Sequence, residues 1–558
     1  MPVVTFSAQE LCRVIGKPLT VAQLAEQMPD LGGDVDKVEG DRISMEWFPN
    51  RTDLLVLEGT GRAMRAFLGV KPGLSEYPVA KARTELKVDP SVAAVRPYAA
   101  LCFVRGVPFD DDAVKSVIDA QEKLTHSPGR KRRKIAIGIH DASGITGPFT
   151  YTCVGPKDKP FVPLNETKPM TPADIMERHP KGIEFRHLLP DGKYPVFLDG
   201  KGEVLSLPPV INAQKTAITT RTRDVLVDVT GTDLPSVKAT IALLATAFAE
   251  RGGTIEGVTV HDASGSWVAP DLRPSERTIH VDDVEALLGR QFTGEEAAAC
   301  LRRMGHDARA FDNKVHVRSP AWRFDLIHPV DLIEDIAVGH GYAKFTDTLP
   351  KAGTFGAKLP SQGLEDAVRA LLVGHGWNEA KTLTLSDDKA QWTNWGEAPG
   401  DAVRVLNPAL EDQTLLRVRL APSLLGVLAA NRHRSLPQRL FEVGHVVLQE
   451  AGQQEGKGQW RNRLRLAGVE CAAKTGFSEA KGLVESLLRD ARLDATLQPG
   501  DRPGLIRGRQ GRIVKARTDR SEPGQEVGWF GELHPDTLVA FGLTAPAMMF
   551  ELDLDAFV

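Results

Sequence analysis

Val225-Leu-Val-Asp-Val229 runs through Thr230-Gly231-Thr232 into Asp233-Leu-Pro-Ser-Val-Lys-Ala-Thr-Ile-Ala-Leu-Leu-Ala-Thr-Ala-Phe-Ala-Glu-Arg-Gly252-Gly253. The β-branched run predicts a strand. Asp233 followed by Pro235 is a helix start, Val237, Ile241, Leu244 and Phe248 step by helical spacing, and Gly252-Gly253 stops the helix. Ala100–Val104, Lys134–Ile139 and Tyr194–Leu198 predict further strands, and a Pro/Lys-rich stretch interrupts the pattern at 155–170. Together they predict a mixed α/β domain over 86–270.

Upstream, a helix near Ser7–Ile15, the period-two strand Arg42–Phe48 and a helix near Leu54–Phe67 predict a small α+β module over 1–85. Downstream, Thr293-Gly-Glu-Glu296 is a capping box, Lys314–Arg318 reads as a strand, and Asp331 is expected to open an acidic helix. Two helices and a short strand pair over 271–350 suit a winged-helix-like unit. Beyond it, the amphipathic positions Leu364, Val368, Leu371 and Leu372 precede strands expected at Val403–Leu406, Arg439–Val443, Val527–Phe530 and Met549–Leu554. The fold class is thus α+β and multidomain, with an antiparallel-sheet module at 351–558.

This organisation agrees with a length of 558 residues, which at about 150 per domain implies three to five domains. With 42% hydrophobic and 25% charged residues, wholesale disorder is excluded. Lys and Arg number 69 against 73 Asp and Glu, so any nucleic-acid contact must be local. No apolar run approaches the ~20 residues that span a bilayer, and the first residues lack a secretory pattern, so a cytoplasmic protein without membrane contact is expected. The five scattered cysteines make neither a disulfide framework nor a zinc site.

Four features could carry chemistry. In Trp322-Arg-Phe-Asp325-Leu-Ile-His-Pro-Val-Asp331-Leu-Ile-Glu334-Asp335, helical spacing puts Asp331, Glu334 and Asp335 on one face, with Asp325 able to fold back. Such acids either collect a hard cation, Mg²⁺ or Ca²⁺, or stand solvated against the helix dipole. Arg130-Lys-Arg132-Arg-Lys134 at a strand entrance either holds a phosphate backbone or forms a solvated turn. Glu203 and Asn212 flank an extended, Pro-kinked segment, and Asp228 lies in the strand before the helix. These read polar groups of a ligand or terminate turns. Finally, Leu415–Leu425 feeding Arg439-Leu-Phe-Glu-Val-Gly444, followed by Gly528-Trp-Phe-Gly-Glu-Leu-His-Pro535, looks like the antiparallel architecture of class II aminoacyl-tRNA synthetases, without clear ATP-holding arginines. No GxSxG, Walker A or Cys/His nucleophile signature is present.

Along essentially its whole length the chain resembles the β subunit of phenylalanine–tRNA ligase, of the archaeal and eukaryotic type. The resemblance rests on Phe48-Pro-Asn-Arg-Thr-Asp-Leu-Leu55 (the family usually has Pro at position 52), Gly129-Arg-Lys-Arg132 with Ala136-Ile-Gly-Ile-His-Asp141, and Gly147-Pro-Phe-Thr-Tyr-Thr152. Pro163-Leu-Asn-Glu-Thr-Lys168, Leu205-Ser-Leu-Pro-Pro-Val-Ile-Asn212, Val229-Thr-Gly-Thr-Asp233, the acidic run at 325–335, the run from Leu406 to Gly444 and Gly531-Glu-Leu-His-Pro535 extend it. It implies an α2β2 heterotetramer joining Phe to tRNA(Phe) with ATP and Mg²⁺, the aminoacylation site lying on the α subunit. It implies a structural Mg²⁺ held by Asp325, Asp331, Glu334 and Asp335 near the subunit interface. It also implies that 86–270 is an editing domain that hydrolyses Tyr-tRNA(Phe). There Glu203 would accept the tyrosine hydroxyl, Asn212, His140 and Asp228 would line the pocket, and Arg130, Lys131 and Arg132 would hold tRNA.

Two other classes compete. A stand-alone nucleic-acid-binding protein should be more basic and richer in exposed aromatics than the 6% found here. A magnesium-dependent phosphohydrolase should place Lys or His beside the acids in a two-metal pattern, which the sequence lacks.

Overall fold

Ser7 ends the first strand and caps the first helix, its hydroxyl accepting from the Glu10 amide at 3.3 Å. The computed structural model describes residues 2–349, 353, 355–450, 459–515 and 524–558, which fall into two units, Met1–Leu349 and Pro350–Val558. In the first, strands Val3–Ser7, Arg42–Trp47 and Gly33–Glu39 form an antiparallel sheet with Arg42–Trp47 central. Helix Leu57–Phe67 lies against helix Ala8–Ile15 so closely that a Cβ on Gly61 would stand 2.5 Å from Val14. Only glycine fits there.

The next sheet has 11 strands. Its path runs Ile211–Asn212, Val204–Leu207, Tyr194–Leu198, Phe149–Val154, Glu85–Val88, Thr254–Asp262, Tyr98–Arg105, Val225–Gly231 and Ile135–Asp141. Val79–Ala80 and Gly265–Ala269 also pair with Thr254–Asp262. The expected helix forms at Leu234–Glu250, with the Asp233 carboxylate accepting from the Ser236 amide at 3.0 Å, and packs on the two strands Tyr98–Arg105 and Val225–Gly231. The sheet curls until its two ends meet, and Asn212 Nδ2 donates to the Ile139 carbonyl at 3.4 Å across the closure.

Residues 275–340 build a three-stranded sheet, Ser275–His280, Lys314–Ser319 and Asp307–Phe311, under helices Val281–Leu288, Gly294–Arg303 and Pro329–His340. This is one strand and one helix more than the sequence suggested. The Thr293/Glu296 capping box is present. The acidic helix opens at Pro329, not at Asp331. His328 is its N-cap and Asp331 sits at the third helical position, because a carboxylate there can close the cap by accepting backbone N–H bonds.

In the second unit, Asn378–Glu379, Gln438–Glu450, Gln459–Cys471, Ala547–Asp553, Gln525–Leu533, Leu505–Lys515 and Ala495–Pro499 form one sheet in that order, antiparallel except for the first pair. Helices Pro360–Gly374 and Phe477–Asp490 supply one apolar cluster and helix Ala421–Ala430 another. The strand expected at Val403–Leu406 is reduced to a single bridge between Arg404 and Leu415. Its apolar pattern ends at Asn407-Pro408 and Leu406 is 93% exposed, so the segment meets the short strand Leu415–Leu416 only through the Val405 amide donating to the Thr414 carbonyl and the Leu416 amide donating to the Val403 carbonyl. Among the described residues no helix is long and apolar enough to cross a membrane.

Charge pairs join the modules of the first unit. Arg65 donates to Glu250 at 2.5 and 3.0 Å, Tyr77 donates to the same carboxylate, and Arg251 pairs with Glu58. Burial pushes the Glu250 pKa up, but the Arg65 and Tyr77 hydrogen bonds outweigh it and leave it below the usual glutamate value. A depressed carboxylate stabilises the fold above its unfolded pKa, and that stabilisation is lost as pH falls through the folded value. Glu250→Gln is therefore expected to cost about 1–3 kcal/mol at pH 7. The difference from wild type in urea midpoint should shrink as pH is lowered toward the acid range. In the second unit, Phe550 is fully buried edge-on against Trp377. Phe550→Ala should cost that unit about 3–5 kcal/mol, read from tryptophan fluorescence in denaturant.

Candidate functional site

Where the ends of the curled sheet meet, four polar side chains converge inside it. Asp228 faces Gly138 across the Val225–Gly231/Ile135–Asp141 pair, and His140 lies two residues further along the same face. His140 Nε2 is 2.7 Å from Asp228 Oδ2, and its Nδ1 is 2.8 Å from Thr216 Oγ1. Ser206 donates its hydroxyl to the same Asp228 oxygen at 3.1 Å, and Thr216 donates to the Ala213 carbonyl at 3.1 Å. His140 and Asp228 are both buried. A Cβ on Gly138 would lie 2.1 Å from Asp228 Oδ2 and 2.9 Å from His140 Nε2, so Ala-Ile-Gly-Ile-His leaves the gap that this pair fills. Asp228, not His140, receives the serine hydroxyl, and the Thr216 hydroxyl beside His140 donates to the Ala213 carbonyl; both Thr216 and His140 are buried, so the cluster holds and orients polar groups.

Asn212 sits opposite Ser206 in register, half-buried at the rim of this cluster. Glu203 does not join it. Its carboxylate is exposed and accepts from Lys215 Nζ at 2.6 Å, and Lys215 also reaches Asp199 at 3.2 Å. Glu203 and Lys215 border an open groove of about 430 Å³ whose other walls include Phe161, Val204 and Ala213. The turn Gln214–Thr216 links the two places, with Lys215 turned to Glu203 and Thr216 to His140. Sequence reasoning missed Ser206, Thr216 and Lys215. A serine inside the fully buried strand Val204–Leu207 was a signal; Thr216 had none, because its partner is 76 residues away.

Arg130, Lys131 and Arg132 form a left-handed turn, with φ of 50°, 52° and 64°, held by the Lys131 and Arg132 amides donating to the His126 and Thr125 carbonyls. Arg132 turns inward. It donates to the carbonyls of Pro209 and Val210 at 3.0 and 2.9 Å and lies 4.2 Å over the Phe185 ring, and burial lowers its pKa. Arg130 and Lys131 present their charges to solvent.

The acids at 325–335 are each engaged differently. Asp325 takes two N–H groups of Arg323, at 2.8 to 3.0 Å. Asp335 Oδ2 takes Arg323 Nη2 at 2.9 Å and lies 2.7 Å from His306 Nε2. Burial alone would raise the Asp335 pKa, but Arg323 and His306 hold it far below the carboxylate range, and burial keeps His306 low. Asp331 Oδ2 accepts the Ile327 and His328 amides at 2.7 and 2.6 Å. Glu334 lies on the exposed side of the helix without a hydrogen bond, its pKa raised by partial burial and then by Asp335 and Asp331. Arg323, which the sequence reading passed over, already supplies part of the positive charge. Among the described residues no three acids or histidines stand together as a ready-made metal centre. The donor set still fits a hard cation in kind. Glu334 carries no hydrogen bond, and Asp331 and Asp335 each engage one oxygen only, so these free carboxylate oxygens belong to acids whose mutual repulsion a cation would relieve.

Comparison with known proteins adds to this geometry. Residues 346–554 match the family described as the phenylalanyl tRNA synthetase beta chain CLM domain, and residues 277–342 the tRNA synthetase B5 domain. The chain is 39% identical to the phenylalanine–tRNA ligase beta subunit of Methanothrix thermoacetophila, covering 99% of this chain and 100% of that one. It is 38% identical to the subunit of the same name from Archaeoglobus fulgidus, covering 100% and 99%. An N-terminal fragment of the phenylalanyl-tRNA synthetase beta subunit from Pyrococcus horikoshii is 32% identical, with TM-score 0.59, over 61% of this chain and 99% of the fragment.

Gly138→Ala tests whether the buried cluster is built as described. Overpacking should cost about 1–3 kcal/mol, read as a lower denaturation midpoint. The imidazole NMR resonances of His140 should move, whereas those of His261, on an exposed hairpin, should not.

Proposed function

The chain belongs to the phenylalanine–tRNA ligase β-subunit family, and on that premise we propose that it works as the β chain of an α2β2 enzyme that attaches Phe to tRNA(Phe) at the expense of ATP in the cytoplasm. The observation that carries this reading is end-to-end similarity to β subunits, without a gap where any module is missing. The second unit is read as a class II catalytic-like module, over 351–558, that packs on the α subunit without binding ATP. In support, three arginines in or beside its sheet are spent on carboxylates: Arg417 on Glu442 at 2.9 Å, Arg465 on Glu551 at 3.1 Å and Arg439 on Glu470 at 2.8 Å.

In the same reading 1–85 is an N-terminal support module, 271–350 a winged-helix-like B5 unit and 86–270 the editing domain. A pocket shaped for the Phe ring rejects the added hydroxyl of Tyr only weakly, so a second sieve that hydrogen-bonds the hydroxyl is physically required for accuracy. Glu203 and Lys215 offer that recognition at the groove, while Asn212, His140 and Asp228 hold the polar wall behind it. Arg130 and Lys131 would meet the tRNA backbone; Arg132 braces them from inside. The Thr216 hydroxyl beside His140 is buried and donates to the Ala213 carbonyl, which favours direct water attack on the ester assisted by the ribose hydroxyl of the tRNA. Asp325, Asp331, Glu334 and Asp335 would hold Mg²⁺, which when bound supplies a charge that ties the acidic helix to its surroundings.

Phenylalanylation with ATP and Mg²⁺ should be absent for this chain alone and appear on co-expression with the α subunit. A charging activity that never appears with the partner would sink the reading. In the active complex, Glu203→Ala should slow Tyr-tRNA(Phe) hydrolysis about 10- to 100-fold, the worth of one charged hydrogen bond, with phenylalanylation unchanged. Asp228→Asn should slow it too, by loosening His140 and Ser206.

A further inference from the structure

Within the first unit, the seam between helix Leu57–Phe67 and the loop before the acidic helix holds a small cavity, apart from the groove of Glu203 and Lys215. Its volume is about 20 Å³, and its lining includes Arg51, Asp53, Arg62, Ser75, Trp322 and Arg323. The three arginines are buried, with 5–6% of their surface exposed. Arg51 spends Nε and Nη2 on the two oxygens of Asp53, both at 2.9 Å. Arg62 donates Nη1 to Tyr77 at 3.2 Å and lies 3.8 Å over the Trp322 ring. Arg323 spends Nε and Nη2 on Asp325 and Asp335. Arg62 Nη2 and Arg323 Nη1 are left buried without a hydrogen-bond partner. Unpaired buried donors are costly and uncommon, and two on one cavity ask for a shared acceptor.

The geometry points to a binding site for one monatomic anion, chloride, in this cavity. Three guanidinium groups line it against a single carboxylate, and both oxygens of that carboxylate already take Arg51. Asp325 and Asp335 sit on the other N–H groups of Arg323 and leave its Nη1 uncompensated. The space is little more than one water-sized sphere needs, which excludes phosphate and carboxylate ligands. A water molecule would satisfy the donors too, but it brings no negative charge to the guanidinium groups. Bound chloride would join Arg62 to Arg323, tying the helix of the N-terminal module to the guanidinium that holds Asp325 and Asp335. The inference rests on this lining alone and stands apart from the tRNA-ligase reading.

The test uses the full chain, crystallised with bromide in place of chloride and examined by anomalous diffraction. A bromine peak within hydrogen-bonding reach of Arg62 Nη2 and Arg323 Nη1 is expected; a cavity without one overturns the site. In solution, Tm should rise by roughly 2 °C or more in chloride over gluconate at equal ionic strength, and this rise should vanish in Arg62→Met. A chloride effect that survives undiminished in Arg62→Met would also count against it. If that variant fails to fold, the bromide map of the wild type decides.

Discussion

Several charges in the first unit are buried beside an opposite charge, and that opposite charge repeatedly comes from another module. Glu250 at the end of the large central helix takes Arg65 of the N-terminal module, and Arg251 beside it takes Glu58. Arg303 donates to the Phe67 carbonyl at 3.0 Å, and Arg51 with Asp53 share a buried cavity with Arg323. Removing one partner of such a pair strands the other without water, a penalty of about 3–5 kcal/mol for fully buried pairs. The modules of the first unit also share one apolar core, in which Phe6 and Leu57, Phe103 and Leu244, and Met304 and Trp322 belong to a single cluster, so the charge pairs add to apolar packing and do not replace it.

The same constraint explains the polar cluster in the large sheet. A buried aspartate in the middle of a strand is tolerable only if donors surround it, and Asp228 gathers them from two other strands. One donor, His140, needs Gly138 to be without a side chain; another, Ser206, needs the sheet to curl so that its far end comes back. The curl is thus not incidental to the chemistry. It delivers Ser206 and the turn bearing Thr216 to a strand pair remote in sheet order, and it leaves a groove whose edge carries Glu203 and Lys215.

How much of this was legible in the sequence depends on how local the cause is. Ser7, Thr293 and Asp233 cap helices through atoms three residues away, and the strands at Tyr194–Leu198 and Val225–Gly231 follow from β-branched runs. Those readings agree with the fold because their physics is contained in a few residues. Asp331 reads as a helix start but acts as the closing member of a cap, since Pro329 can occupy the first turn and the carboxylate cannot be told from a ligand by spacing. The alternation at Val403–Leu406 yields only one bridge because Asn407-Pro408 ends it and its partner strand, Leu415–Leu416, is two residues long. Arg323 was visible beside the acids, yet its role depends on His306 and Asp335 packing around it, which no periodicity encodes. Thr216 meets His140 only through the closure of the sheet.

In the second unit the buried charges turn inward rather than toward a ligand. Glu442 is wholly enclosed and takes both Arg417 and the Thr382 hydroxyl, while Glu551, equally buried, takes Arg465 and the Ala421 amide. A sheet that binds a polyphosphate must present cations with free N–H groups, because bidentate recognition uses the same face of the guanidinium that a carboxylate would occupy. Arg417 has Glu442, the His445 carbonyl and Thr382 on that face already. Freeing it would leave Glu442 buried and unpaired. Arg417, Arg439 and Arg465 are thus committed to carboxylates of the unit's own fold.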